Sequence, residues 1–157
     1  MKTLLFVDDD ANDRLLVELG CQRAQVSFLL KTVESGVEAI SYLSGEGRFA
    51  DRAAHPLPDL IFLDLKMPEM DGFQVLRWIR SDPATRTTPV VVYSASFIPE
   101  DIAQGYSDGA NFFITKPSDL MVLIDIFRAA DQCLAADPWN DVALARFSEP
   151  ARKAVLK

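Results

Sequence analysis

Apolar positions along the chain gather into five short runs, and the stretches between them repeat at helical spacing. Thr3 to Val7 is the first run, closed by Asp8, Asp9 and Asp10. Val26 to Val33, Asp59 to Leu63, Pro89 to Tyr93 and Asn111 to Thr115 are the others. Runs that stay apolar instead of alternating belong to strands covered on both faces, as in a parallel sheet between helices. The first helix is predicted from Ala11 to about Ala24, with Leu15, Leu16 and Leu19 inward and Asp10 or Asn12 as its cap. Ser35-Gly36-Val37-Glu38 has the form of a capping box and opens a helix that stops at Ser44-Gly45. Asp71 is placed to cap Gly72 to Ser81, whose Phe73, Val75, Leu76 and Ile79 make an apolar side. Pro99 suits the first turn of a helix reaching about Asp108, and Ser118 is placed to cap a last helix running to about Ala136. Between Gly45 and Pro58 lies a long polar connection that holds the only histidine, His55, read as a surface-loop residue.

Strands alternating with helices predict an α/β fold of three layers, a doubly wound parallel five-stranded sheet joined by right-handed crossovers. A chain of 157 residues, 49% of them hydrophobic, suits one core. The main domain is expected over 1–136, with 137–157 a tail too short for a DNA-binding output domain and able to form at most a short helix. No apolar run reaches the roughly 18 residues of a membrane span, and the N-terminus turns acidic before a secretory core can form, so a soluble cytoplasmic protein is expected. Cys21 and Cys133 lie far apart in helical patterns, which favours buried reduced thiols. The net charge of −7 comes from an acid excess in 1–136, where 20 acidic face 12 basic side chains, and argues against nucleic acid as a partner.

The strand ends carry the chemistry. Asp8 and Asp9 close the first run, Asp64 the third, Ser94 the fourth and Lys116 the fifth, all at the carboxyl edge where open α/β sheets bind ligands. Carboxylates converging on one edge repel unless protons or a cation lie between them. Oxygen donors without His or Cys favour Mg²⁺. Lys116 adds a point charge suited to a phosphoryl oxygen and Ser94 a hydroxyl, so Asp64 is the candidate acceptor of a phosphoryl group. Each residue taken alone has a plainer explanation, Asp10 as a helix cap above all. Four strand ends with complementary chemistry do not.

VDDD at 7–10, FLDLKMPEMDG at 62–72, YSAS at 93–96 and ITKP at 114–117 resemble the receiver domain of two-component response regulators, over residues 3–136. The resemblance implies a flavodoxin-like (βα)5 fold with strand order 2-1-3-4-5. It also implies that Asp64 accepts phosphate from a histidine kinase, with Mg²⁺ on Asp9, Asp64 and the Lys66 carbonyl and Asp8 holding a metal-bound water. Lys116 would pair with the phosphoryl group across a cis Lys116–Pro117 peptide. Ser94 and Phe113 would form the switch, the latter in place of a more usual Tyr or His, and Lys66 and Ser96 would tune phosphate lifetime. The segment 41–60 and VLRWIR at 75–80 look like stand-alone receivers that serve bacteriophytochrome-type histidine kinases.

At 100° per residue the last helix shows a core stripe of Leu120, Leu123, Ile124, Phe127, Ala130 and Leu134. Val122, Ile126, Ala129 and Cys133 form a second stripe nearly opposite, expected to serve a homodimer with the tail, whose Val142, Leu144, Phe147, Val155 and Leu156 are apolar. The alternative is that the tail folds back over the stripe. As a function, the competing readings are an interaction module that works without phosphate, and a small haloacid-dehalogenase-type phosphatase. The latter wants a second Asp where Lys66 stands.

Overall fold

The computed structural model describes residues 1–150. Its elements run in chain order as β1 (Thr3–Val7), α1 (Ala11–Ala24), β2 (Leu29–Val33), α2 (Gly36–Ser44), β3 (Leu60–Leu63), α3 (Gly72–Ser81), β4 (Val90–Ser94), α4 (Pro99–Ser107), β5 (Phe112–Thr115), α5 (Leu120–Ala135) and α6 (Val142–Ala145). The five strands are all parallel in the order β2-β1-β3-β4-β5, the flavodoxin-like arrangement predicted. Strand alternation divides the core in two. Leu4, Phe6, Phe62, Val91 and Tyr93 face α1 and α5, while Leu5, Val7, Ile61, Leu63, Val92 and Phe113 face α2, α3 and α4.

Local signals set most boundaries. The Asp10 carboxylate accepts the Asn12 and Asp13 N–H groups at the start of α1. Asp71 and Gln74 complete a reciprocal capping box at α3. At α2 the reciprocity is shifted: Ser35 accepts the Glu38 N–H, but Glu38 accepts from Glu34. Asp119, not Ser118, caps α5. β2 starts three residues later than predicted, because Gln25 ends α1 in the left-handed region and the Ser27 N–H turns to Asp131.

Two helices bury other residues than the pattern suggests. In α1 the inward side is Val17, Gly20 and Cys21, whereas Leu15 and Leu16 are 63% and 43% exposed. Gly20 is the reason: a Cβ there would lie 2.0 Å from Leu123 Cδ2, so α5 approaches where α1 has no side chain. In α5 the core stripe is buried or half-buried, but so are Ile126, Ala129 and Cys133 of the second stripe; Val122 alone is exposed. These three therefore offer no free surface to a second copy. The helix is flanked by the sheet, by α1, and by the tail, whose Leu144 is fully buried in the same cluster.

The tail then crosses the open edge of β5. The Phe113 N–H donates to Ser148 Oγ at 3.0 Å, and the Glu149 N–H donates to the Phe113 carbonyl at 2.7 Å. The Tyr106 hydroxyl bonds both Ser148 Oγ and the Glu149 carbonyl. The strand edge thus has one backbone and one side-chain partner that it would otherwise lack. Val155 and Leu156 lie outside the described residues.

In the α2–β3 connection, His55 is not a free surface residue. It packs edge-on against Tyr42 and Phe49, at 5.8 and 5.2 Å between centroids, while Arg52 bonds the carbonyls of Tyr42 and Leu43 at the end of α2.

Candidate functional site

Register brings the strand ends together. Val7 pairs with Leu63, and the next rung is the Asp64 N–H donating to the Val7 carbonyl at 3.0 Å, which sets Asp8 and Asp64 side by side. The Asp8 N–H bonds the Val33 carbonyl, and the Lys116 N–H bonds the Ser94 carbonyl at 2.8 Å. Backbone pairing thus continues past the strand ends and lines these residues up along one rim.

Carboxylate oxygens of Asp8, Asp9 and Asp64 all lie within 4.8 Å of one another. Asp8 and Asp64 are buried and Asp9 is exposed. The Lys116 ammonium sits 2.7 Å from Asp13, 2.8 Å from Asp8 and 3.2 Å from Asp64. Burial pushes the Asp8 carboxyl up to about 6, with a further rise from Asp64, against the opposing effects of Lys116 and the Asp10 N–H. Burial pulls the Lys116 ammonium down, but its bonds to Asp13 and Asp8 outweigh this and hold it above the usual lysine range. A site that raises a buried acid toward neutrality while packing hard oxygens this closely fits a divalent cation.

The loop after β3 folds tightly over the end of that strand. Its end, Gly72, donates to the Leu65 carbonyl, and a Cβ at this position would lie 2.2 Å from the Asp64 carbonyl oxygen. Only glycine fits there. On the other side of the rim Ser94 is fully buried and its Oγ accepts the Ser96 N–H at 3.2 Å. Ser96 donates to Asp101 at 2.6 Å, and Lys66 reaches the same Asp101 oxygen at 3.3 Å. Phe113 is fully buried, with Gly105 of α4 leaving room for its ring. The Lys116–Pro117 peptide is trans; among the described residues the cis bond is Asp137–Pro138. Trans is the lower-energy form of an X–Pro bond, and the Lys116 ammonium reaches the acids in that form.

Of the strand-end residues picked from sequence, Asp8, Asp9, Asp64 and Lys116 meet in one cluster, with Asp13 added on the ammonium; Asp101 gathers Lys66 and Ser96 beside Ser94. Asp13 and Asp101 stand in the first turns of α1 and α4. Acids there are ordinary, since the helix dipole favours them, so no pattern marked them as part of the site.

A buried strand-end carboxylate, an acidic oxygen cluster and a lysine at the carboxyl edge of a 2-1-3-4-5 parallel sheet define a class: the phosphoacceptor receiver. The chain matches the response regulator receiver domain over residues 4–128 and belongs to that family. It is 31% identical to the response regulator Rcp1 of Synechocystis over 127 residues, covering 81% of this chain and 82% of Rcp1. It is 41% identical over 122 residues to the response regulator PleD of Caulobacter vibrioides; these are 76% of this chain and only 24% of PleD. Among solved structures, the phosphorylated cyanobacterial phytochrome response regulator RcpA superposes with a TM-score of 0.77 at 35% identity, covering 87% of this chain and 95% of RcpA. The Mn²⁺-bound form of Rcp1 gives 0.74 at 28% identity, over 87% and 96%.

Proposed function

We propose that this receiver accepts a phosphoryl group on Asp64 from the phosphohistidine of a sensor kinase and signals by protein contact, with residues 1–136 as the receiver and the tail as an appendage. A single observation carries the reading: Asp64 shares the oxygen cluster with Asp8 and Asp9 and lies 3.2 Å from the Lys116 ammonium. In the transfer an Asp64 carboxylate oxygen bonds to phosphorus as the P–N bond to imidazole breaks. The electron pair leaves on the ring nitrogen, which takes up a proton. Lys116 holds a phosphoryl oxygen through this exchange. Asp8, Asp9, Asp64 and the Lys66 carbonyl would hold Mg²⁺, which supplies positive charge against the phosphoryl oxygens.

The new charge is read through Ser94, whose hydroxyl turns toward it, and through the packing of Phe113, which has no hydroxyl to bond. Lys66 and Ser96, gathered at Asp101, govern water access and hence phosphate lifetime. Among the described residues no helix is long and apolar enough to cross a membrane. Work in the cytoplasm beside a kinase, without nucleic acid, follows from the acidic surface and from this reading. The likeness to RcpA, a phytochrome response regulator, supports a bacteriophytochrome-type kinase as donor.

Incubation with acetyl phosphate and Mg²⁺, followed by intact mass, tests the acceptor. Wild type should gain one base-labile phosphate and Asp64→Asn none. Equal labelling of the variant would end the assignment.

A further inference from the structure

Lys116 has three carboxylate partners, and the shortest contact, 2.7 Å, is to Asp13, a residue that is neither a strand-end acid nor a member of the oxygen cluster. The other two, Asp8 and Asp64, belong to that cluster. A divalent cation and the ammonium therefore draw on the same two carboxylates. A cation held by Asp8 and Asp64 would repel the ammonium by like charge, and a flexible lysine side chain could then move off its site. Asp13 remains. It stands on the first turn of α1, is only partly exposed, and is not the helix cap, a task that falls to Asp10. Its carboxylate is free of the cluster and already on the ammonium.

We propose that Asp13 is a positioning residue for phosphoryl transfer: it anchors the Lys116 ammonium at the rim after a divalent cation has taken the ammonium's other two carboxylates. This rests on the reading of Asp64 as acceptor and adds to it a residue on α1. The plainer role for Asp13, a helix-start acid favoured by the dipole, predicts no effect that depends on the metal.

The experiment uses the full chain as wild type, Asp13→Asn, Asp13→Glu and Asp64→Asn. The first measurement is the Lys116 ammonium by ¹⁵N NMR, assigned with Lys116→Arg, without and with saturating Mg²⁺. In wild type the ammonium should stay protected from exchange in both conditions. In Asp13→Asn it should be protected without Mg²⁺, held by Asp8 and Asp64, and lose protection when Mg²⁺ is added; Asp13→Glu should regain part of it. The second is labelling by acetyl phosphate at saturating Mg²⁺, expected to slow about tenfold in Asp13→Asn with unchanged final stoichiometry. An ammonium equally protected in Asp13→Asn and wild type under Mg²⁺ would overturn the proposal. So would loss of protection without Mg²⁺, which would make Asp13 a general structural contact. Labelling of Asp64→Asn would instead bring down the acceptor reading, and the NMR result would still decide the role of Asp13.

Discussion

At the scale of single residues, Asp8 shows what the site costs the fold. Its carboxyl moves from an ordinary value of 3.8 to about 6 because burial penalises the charge. The folded chain then binds this proton more tightly than the unfolded chain. With no metal present, stability attributable to Asp8 falls as pH rises from about 4 to about 6 and stays lower above that window. Asp8→Asn keeps an acceptor for the Asp10 N–H and removes the buried charge. In EDTA at pH 7 the variant should be more stable than wild type by roughly 1–3 kcal/mol in urea titrations, with a flatter profile between pH 4 and 6. Lower stability than wild type at pH 7 would show that the Lys116 ion pair outweighs desolvation. For wild type, Mg²⁺ should raise the unfolding temperature, since an ion bound only by the folded state stabilises it by mass action.

At the scale of elements, the α1–α5 contact depends on an absence of side chain. Gly20→Ala would place a methyl 2.0 Å from Leu123 Cδ2, and the helices must separate or Leu123 must leave its rotamer. A loss of about 1–3 kcal/mol is expected in guanidinium unfolding, despite the better helix propensity of alanine. The tail is part of the same core. Leu144 is fully buried between α5 and its own short helix, so Leu144→Ala should cost about 2–4 kcal/mol, whereas Val142→Ala, at a side chain 71% exposed, should cost little. Equal, small effects at both positions would mean that the tail does not hold its place on α5.

At the scale of the whole molecule, the two thiols report on integrity. Cys21 and Cys133 are buried in one cluster, and burial raises both thiols, Cys21 to about 12. Neither should react with an aromatic disulfide reagent at neutral pH in the native state. Both should react after unfolding, at a rate limited by opening. Fast reaction of Cys133 alone would indicate that the tail lifts away without the rest of the fold.

The sequence by itself determined the order of elements, the parallel sheet and the strand-end acids. These depend on short-range rules, uniform apolar runs and caps, that the chain writes locally. Asp8, Asp9, Asp64, Ser94 and Lys116 were legible because each ends a strand, and parallel strands end at one rim. Tertiary structure decided what depends on contact between distant segments. Leu15 and Leu16 look like core and are exposed, because α5 settles on Gly20 instead. Ile126, Ala129 and Cys133 look like a surface for a partner and are buried, because Trp139, Ala143, Leu144 and Phe147 of the tail join their cluster and Glu149 reaches β5. Asp13 reads locally as a helix-start acid. Only the fold brings it to Lys116, 103 positions away in the chain.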